Sequence, residues 1–333
     1  MREQDWVTWL AQHAPTGMYG HDLTSADHAN SVPAELNRAA DFVASDLIGD
    51  DAAVLPALDA QGRSLICADM IVDGVHFLSE SAPPESIGHK ALAVNLSDIA
   101  AMGGQPRFAV VTLSVPRQME WSLVERIYQG LFALAKRHHV AIVGGDTTRW
   151  SHPLTISVTV GGVTGSQVWR RSGARPGDQL FVSGELGGSL IGKHLQFEPR
   201  IDLAAWLQAH RISVHAAIDL SDGLGIDLGR LCEASRCGVR VQAAAIPISN
   251  AANDVAATSG GRPLDHALGD GEDFELLLAI PPESAQQLKA SHPPVALTWI
   301  GEFTESNALL LVDEHGDATP LQPRGYDHLT EGS

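Results

Sequence analysis

The chain has 333 residues, of which 44% are hydrophobic and 19% charged, and its 22 basic against 40 acidic residues give a net charge of −18. This composition is typical of a well-buried globular protein long enough for two domains, and it excludes a disordered chain. The acidic balance argues against partners that are themselves anionic, so we expect neither nucleic acid nor a membrane surface as a partner.

The first part of the chain is predicted to alternate strands with long helices. A short helix over residues 3–13 and an irregular segment over 15–40 come first. Helices over 85–102 and 120–139 follow, the second with apolar residues at helical spacing. Strands are predicted at Ala52–Leu55, Ser64–Ala68, Phe108–Val115, Val140–Val143 and Leu154–Thr164.

Residues 166–178 interrupt this pattern with Gly, Pro and charge, so we place a domain boundary between 1–165 and 166–333. Beyond the boundary a helix is predicted over 223–236. Strands are predicted at Gln179–Ser183, Ala216–Asp219, Val239–Ala243, Glu275–Ile280, Thr298–Gly301 and Ala308–Asp313. The interleaving of strands and helices indicates a mixed α/β (α+β) fold.

The three cysteines, Cys67, Cys232 and Cys237, are too few for a disulfide framework and favour a reducing compartment. Cys232 and Cys237 lack a second pair at zinc-site spacing, so we interpret them as core thiols. The N-terminus has no apolar stretch of signal-peptide length, and no window is apolar enough to cross a bilayer. We therefore expect a cytoplasmic protein.

The string from Gly187 to His194 is close to a phosphate-binding P-loop and follows a predicted strand. A P-loop needs Ser or Thr after its Lys, because that hydroxyl binds Mg²⁺. His194 follows Lys193 here, so we interpret the string as a coincidence in a glycine-rich chain.

Acidic residues recur next to predicted strands and on one helix face. Asp98 shares a helix face with small and apolar residues, where a carboxylate is costly unless it is paired or metal-bound. The other acidic residues adjoin predicted strands. Asp50 and Asp51 precede the strand Ala52–Leu55, and Asp69 follows the strand Ser64–Ala68. The remaining members of the set are Asp146, Asp219 and Asp222.

Each of these residues has a simpler interpretation when taken alone. Asp222 could cap a helix, Asp146 could be a turn residue, and Asp50 and Asp51 could lie in a solvated loop. Together they favour carboxylates that converge at one sheet edge. Hard oxygen ligands suit Mg²⁺, which bridges phosphate oxygens and offsets the repulsion between an acidic site and ATP.

Eight motifs between residue 48 and the C-terminus occur in one order: Ile48–Val54, Asp69–Phe77, Lys90–Gly104, Gly144–Thr148, Arg171–Asp178, Ile218–Leu224, Gly271–Leu276 and Gly325–His328. In sequence and order they resemble the thiamine-monophosphate kinase family, and only the first 45 residues match poorly. The resemblance implies a two-domain kinase of the aminoimidazole-ribonucleotide-synthetase-like superfamily, with mixed sheets flanked by helices.

The resemblance also implies the reaction and the assembly. Such enzymes phosphorylate thiamine phosphate with ATP to give thiamine diphosphate, by direct in-line transfer assisted by several Mg²⁺ ions, with K⁺ as an optional further ion. They are homodimers built through the N-terminal domain, with nucleotide and metals at the interdomain cleft. No general base is needed, because the attacking group is an ionised phosphate.

Site residues are carried over from the matching motifs. The implied Mg²⁺ ligands are Asp51, Asp69, Asp98, Asp146, Asp219 and Asp222. The implied ATP contacts are Gly145, Asp146, Arg171 and Ser221, and the implied contacts to thiamine phosphate are His76, Glu272 and Tyr326. The residues expected to carry catalysis are Asp98, Asp146, Asp222 and Arg171. Apart from the resemblance, Arg171 could be a linker charge, His76 a structural residue and Tyr326 a packing residue.

Two positions depart from the family pattern. Cys67 and Ala68 replace the Ser and Thr that usually precede Asp69 and help to hold metal, and a thiol is a poor ligand for Mg²⁺. We expect a weaker or more hydrated metal site there.

The sequence also leaves alternatives to a thiamine-phosphate kinase. An ATP-dependent cyclo-ligase is one alternative, and a selenophosphate-type synthetase is another, which is disfavoured because no Cys precedes Cys67. A hydrogenase-maturation relative is disfavoured because the chain lacks a C-terminal Cys. A nucleotide-binding regulator without catalysis would not need so many carboxylates.

Overall fold

In the computed structural model, which describes residues 53–55, 63–165, 167–323 and 325, the chain forms two sheets and seven α-helices. The helices are α1 (Pro84–Ala101), α2 (Trp121–Arg137), α3 (Ile201–Ala209), α4 (Leu224–Ser235), α5 (Asn250–Ser259), α6 (Pro263–Gly269) and α7 (Pro282–Lys289). The mixed α/β class predicted from the sequence is confirmed.

The first sheet has five strands in the order β1-β2-β5-β3-β4. These are β1 (Ala53–Leu55), β2 (Arg63–Val72), β3 (Gln105–Pro116), β4 (Ala141–Trp150) and β5 (Thr155–Thr164). Only β3 and β4 pair in parallel, and α2 provides the crossover between them. In β5 the residues alternate between buried and half-buried, so one face of the sheet packs on the helices.

Helix α1 lies at the centre of the molecule. It contacts β2, β5 and α2 of the first half, and α3 and the strand Ala216–Asp219 of the second. Its own residues, mostly small and apolar, are buried on almost every side, which is typical of a fully buried helix. Gly88 and Gly130 allow α1 and α2 to cross closely, because a Cβ at Gly88 would lie 1.7 Å from Ile127 O and one at Gly130 1.8 Å from Glu85 O.

The second sheet has seven strands in the order β12-β11-β8-β10-β6-β9-β7. These are β6 (Gln179–Ser183), β7 (Ala216–Asp219), β8 (Gly238–Gln242), β9 (Leu276–Ile280), β10 (Leu297–Thr304), β11 (Leu309–Val312) and β12 (Ala318–Pro320). All pairs are antiparallel except β8 with β11. Every residue of β9 is buried, as its uninterrupted Leu-rich sequence predicts for a strand covered on both faces.

Most predicted elements are found within two residues of their expected ends, but four strands run further than predicted: β3 begins at Gln105, β10 ends at Thr304, and the other two carry site residues. Strand β2 continues to Val72 and β4 to Trp150, so Asp69 and Asp146 lie inside strands. Their predicted places at strand ends were wrong, because both strands keep pairing with a neighbour beyond the expected end. Helices α3, α5, α6 and α7 and strand β12 were not placed from the sequence.

Some predictions fall outside the described residues, namely the helix over 3–13, the irregular segment over 15–40 and the Asp50–Asp51 pair. The domain boundary between 165 and 166 stays a prediction. The three cysteines are free and buried, which agrees with the interpretation of Cys232 and Cys237 as core thiols. Among the described residues, no helix is long and apolar enough to cross a membrane.

Candidate functional site

A cavity of about 450 Å³ lies where the first sheet, α1 and the second sheet meet. Its wall comes from β2 and the loop after it, from α1, from the segment between the sheets, and from the loops that follow β7 and precede β9. Eight residues predicted from the sequence line it, namely Asp69, His76, Asp98, Arg171, Asp219, Ser221, Asp222 and Glu272.

Helix α1 lines this cavity along its length. Lys90, Val94 and Asp98 all face it, and their four-residue spacing places them on one side of the helix. Because each residue advances the helix by about 1.5 Å, Lys90 and Asp98 are about 12 Å apart along its axis. The cavity therefore has two ends: an acidic end at Asp69, Asp98 and Asp219, and a Lys90 end at His76, Lys90 and Glu272.

The acidic end is held together by hydrogen bonds to α1. Ser97 Oγ donates to Asp219 Oδ2 at 2.6 Å, and Asn95 Oδ1 accepts from the backbone N–H of Asp69 at 3.0 Å. Burial raises the pKa of the Cys67 thiol well above its ordinary value, and the charges of Asp98 and Asp69 raise it further. Carboxylates from β2, α1 and β7 thus lie near one another at this end.

The turn after β7 presents Asp222 to the cavity. Its carboxylate is 2.6 Å from Arg230 Nη1, while its backbone N–H and that of Gly223 donate to Asp227 Oδ2. Gly223 occupies the N-cap position of α4 and no side chain caps the helix from there. The interpretation of Asp222 as a simple helix cap is therefore wrong, since Asp227 binds the turn instead.

At the Lys90 end, a buried lysine connects the two halves of the chain. Lys90 Nζ donates to His76 O at 2.6 Å and to Glu272 Oε1 at 2.7 Å. His76 Nδ1 accepts from the Val72 backbone N–H at 3.0 Å, which fixes the imidazole on the loop after β2. Burial lowers the pKa of Lys90, and the neighbouring Glu272 opposes that shift.

Magnesium is the ion that the sequence predicts here. Within residues 53–55, 63–165, 167–323 and 325, no group of three or more His, Cys, Asp or Glu side chains lies close enough to hold a metal ion. At nucleotide sites, however, Mg²⁺ is usually held by one or two carboxylates, and phosphate oxygens and water complete its shell. The acidic end supplies such donors, so its residues fit Mg²⁺ that arrives with a phosphate group.

Among the predicted site residues that the structure describes, Gly145 and Asp146 do not line the cavity. Asp51 and Tyr326 lie outside the described residues. Gly145 and Asp146 lie on β4, which is an edge strand of the first sheet among the described strands. The Asp146 side chain is exposed and accepts from the Thr147 backbone N–H at 2.9 Å. The assignment of these four residues to the site stays a prediction.

Sequence reasoning missed several residues that line the cavity, among them Lys90, Asp270 and Phe274. Asp270 accepts from the Gly188 backbone N–H at 2.8 Å and pairs with His266 Nδ1 at 2.9 Å. Lys90 carried a usable signal, because a lone charge in a small-residue helix, eight residues before Asp98, falls on the face of that carboxylate.

The string from Gly187 to His194 does not form a P-loop. It folds into short 3-10 turns at Ser189–Ile191 and Lys193–Leu195 and does not enter an α-helix. Lys193 Nζ donates to Glu185 O at 3.1 Å and to Glu275 Oε1 at 2.9 Å. The lysine is therefore part of an ion pair with a buried carboxylate, which agrees with its interpretation as a coincidence.

Comparisons with known proteins place this site in a family. Residues 49–164 match the AIR synthase related protein N-terminal domain, and residues 170–313 match the AIR synthase related protein C-terminal domain. The thiamine-monophosphate kinase of Rhodopirellula baltica is 44% identical over 287 residues, which cover 84% of this chain and 90% of that protein.

Solved structures agree with this assignment. AaThiL complexed with AMPPCP and TMP has a TM-score of 0.76 at 32% identity, covering 86% of this chain and 93% of that one. The thiamine-monophosphate kinase from Stenotrophomonas maltophilia K279a has a TM-score of 0.68 at 34% identity. The match covers 86% of this chain and 94% of that one. From the two matching domains, the shared fold and the 44% identity, the chain belongs to the thiamine-monophosphate kinase family.

Proposed function

We propose that this enzyme phosphorylates thiamine phosphate with ATP to give thiamine diphosphate. The observation that carries the proposal is the likeness to AaThiL complexed with AMPPCP and TMP over 86% of the chain. AMPPCP is an analogue of ATP, so that complex holds a nucleotide and a second phosphorylated ligand at once. The single cavity that collects eight residues from separate motifs supports the same activity.

The transfer is proposed to be direct and in line, with Mg²⁺ supplying charge neutralisation on the phosphates when it is bound. Asp69, Asp98 and Asp219 would hold the ions at the acidic end, where Ser97 keeps the Asp219 carboxylate in place. Asp222, on the next turn, would add a fourth carboxylate. The acceptor is an ionised phosphate, so these residues need to orient and neutralise rather than remove a proton.

Arg171 is proposed to bind a phosphate group of ATP. It lies in the segment between the two sheets, lines the cavity and is partly buried. A guanidinium offers a planar set of donors that fits two phosphate oxygens at once and remains charged at every working pH. Ser221 would contact the nucleotide from the turn that carries Asp222.

His76 and Glu272 are proposed to contact thiamine phosphate from the Lys90 end. Tyr326 is proposed to join them, since an aromatic ring suits stacking on the rings of the substrate. The roles that the motifs imply are proposed for three further residues. Asp51 and Asp146 would bind Mg²⁺, and Gly145 and Asp146 would contact ATP.

A homodimer built through the first sheet is also proposed. Large apolar side chains on this sheet are exposed, since Met70 is 55%, Phe108 41% and Val143 60% accessible. Burial of such side chains against a second copy would remove apolar area from water. Light scattering on the protein as it elutes from a size-exclusion column tests the homodimer. A measured mass equal to one chain would overturn it.

The test of the activity is turnover of thiamine phosphate by the purified enzyme with ATP and Mg²⁺, with thiamine diphosphate detected by chromatography. The Asp98→Asn variant should stay folded and lose activity, because Asn keeps the shape of Asp without the charge that Mg²⁺ needs. Absence of product with the wild-type protein would overturn the proposed function. Near-normal turnover by the variant at saturating Mg²⁺ would overturn the role of Asp98.

A further inference from the structure

Lys90 joins two distant parts of the chain at one end of the cavity. Its side chain is fully buried, and its Nζ atom donates to His76 O at 2.6 Å and to Glu272 Oε1 at 2.7 Å. His76 belongs to the loop after β2 and Glu272 to the loop before β9, 182 residues after Lys90. One ammonium group therefore holds a residue from each half of the cavity wall.

Stability alone does not explain a charge at this position. Removal of an ammonium group from water is costly, and a buried ion pair often contributes no more to stability than apolar residues of similar volume. The neighbours of Lys90 along α1, Ala91, Leu92, Ala93 and Val94, are buried and apolar, and Met or Leu at position 90 would match them. The lysine instead acts on its two partners, His76 and Glu272.

Glu272 is held in an unusual backbone conformation. Its φ is +52°, between Gly271 at +73° and a second non-glycine residue with positive φ, Phe274 at +49°. Such values are sparsely populated by residues with a Cβ and persist where surrounding contacts fix them. The fixing contacts are backbone hydrogen bonds, from Glu272 N to Ser221 O at 2.7 Å and from Phe274 N to Leu220 O at 2.8 Å.

The loop of Glu272 is thus attached to the turn that carries Asp219 and Asp222. The backbone places the Glu272 side chain beside α1, and Lys90 then fixes the carboxylate itself. The side chain is 20% exposed and lines the cavity, so it contacts Lys90 while remaining accessible to a ligand.

The position of Lys90 along α1 determines which ligand it acts on. Lys90 lies about 12 Å along the helix axis from Asp98, which belongs to the acidic end. Because both ends line one cavity, a phosphate transferred at the acidic end would leave the organic part of the acceptor directed toward the Lys90 end. The thiazolium ring of thiamine carries a permanent positive charge, and a fixed carboxylate is the group that favours it.

We propose that Lys90 is a positioning residue for the acceptor substrate, which fixes Glu272 and the His76 loop so that the Glu272 carboxylate faces the thiazolium cation. This inference rests on the proposed function, since it assigns an end of the same cavity. Glu272 also neutralises Lys90, which would otherwise be an unpaired buried cation next to a cationic ring.

The experiment measures KM for thiamine phosphate and KM for ATP separately, in full-length protein with saturating Mg²⁺. Lys90→Met should raise KM for thiamine phosphate about tenfold and change KM for ATP less than about twofold. Glu272→Gln should raise KM for thiamine phosphate by more than that, because it removes the carboxylate and leaves Lys90 unpaired. The double variant should then bind thiamine phosphate better than Glu272→Gln alone.

Lys193→Met is the matched control, because Lys193 also pairs with a buried glutamate, Glu275, yet does not line the cavity. It should change neither KM by more than about twofold. Equal rises in both KM values for Lys90→Met, or a double variant no better than Glu272→Gln, would overturn the proposal. If Lys90→Met does not fold, Glu272→Gln alone tests the proposal. A rise in KM for thiamine phosphate with an unchanged KM for ATP supports the proposal, and any other pattern overturns it.

The proposed function can fail separately from this inference. Wild-type protein that makes no thiamine diphosphate refutes the proposed function itself. If the wild-type protein makes thiamine diphosphate and the variants have unchanged KM values, only the role of Lys90 is refuted.

Discussion

Ser97 and Asp219 join α1 to the end of β7 through a hydrogen bond of 2.6 Å between the Ser97 hydroxyl and Asp219 Oδ2. Both side chains are buried, Ser97 at 1% and Asp219 at 4% exposure. Since a buried carboxylate needs partners for its oxygens, this bond orients Asp219 within the acidic end. The two halves of the molecule therefore meet at a residue proposed to hold Mg²⁺.

Ser97→Ala should weaken the acidic end without unfolding the protein. Loss of a hydrogen bond to a buried charged group is expected to cost about 2 kcal/mol of unfolding free energy. The Mg²⁺ concentration that gives half-maximal rate should rise, because Asp219 loses its fixed orientation. Urea unfolding and a magnesium titration of the rate measure the two effects.

Ser86→Ala is the control for that substitution. Ser86 is a buried serine on the same helix, and it accepts from Gln196 Nε2 at 2.8 Å, away from the acidic end. Ser86→Ala should lower the free energy of unfolding without changing the Mg²⁺ concentration that gives half-maximal rate. A Ser97→Ala enzyme with a wild-type titration would show that Ser97 has no influence on metal binding.

Lys193→Ala should keep most of the activity. Lys193 is paired with Glu275, whose carboxylate also accepts from Ser183 and Arg200, so Glu275 stays satisfied after the substitution. The side chain of Lys193 is 34% exposed, so solvent screens its charge, and its removal leaves the other two donors on Glu275. Steady-state kinetics check this; a fall in kcat of about 10³-fold would mark a phosphate-binding lysine after all.

Restoration of the hydroxyl residues before Asp69 should reduce the Mg²⁺ requirement. Ala68 is exposed and lines the cavity, whereas the Cys67 sulfur is buried and lies 3.4 Å from Asn95 O. Ala68→Thr is therefore expected to carry the effect, and Cys67→Ser alone should do little. A magnesium titration of both single variants and the double variant decides it, and superimposable curves would refute the idea.

The buried carboxyl of Asp273 should make stability depend on pH. Burial raises its pKa from 3.8 to about 7, although the charge of Lys193 and the Gly187 backbone N–H act in the opposite direction. The folded state thus keeps its proton to higher pH than the unfolded chain. Stability from this group is full below about pH 4 and is lost as the pH rises toward 7.

Asp273→Asn should remove that dependence, because an amide stays neutral and can still accept from Gly187 N. The variant should gain stability over the wild type at pH 8 and gain much less at pH 5. Urea unfolding at both values measures this, with Asp254→Asn on the exposed face of α5 as control. An equal change at both pH values would contradict the assignment.

The fold class and the long helices α1 and α2 followed from the sequence, and in α2 the apolar spacing over more than four turns is a strong local signal. The short helices α3, α5, α6 and α7 did not. At 7 to 10 residues they carry too few turns for a clear period. The lengths of β2 and β4 were also missed, since a strand ends where its neighbour stops pairing, which is a property of the sheet.

For the site, the sequence by itself determined the family motifs and eight of the residues that line the cavity. It could not determine which of them meet. The ion pair of Lys90 with Glu272 and the bond of Ser97 to Asp219 each join residues more than 100 positions apart. Only the tertiary structure decided those pairs, because a contact between such distant residues depends on how α1 packs between the two sheets, whereas helical and strand periods report only on neighbours along the chain.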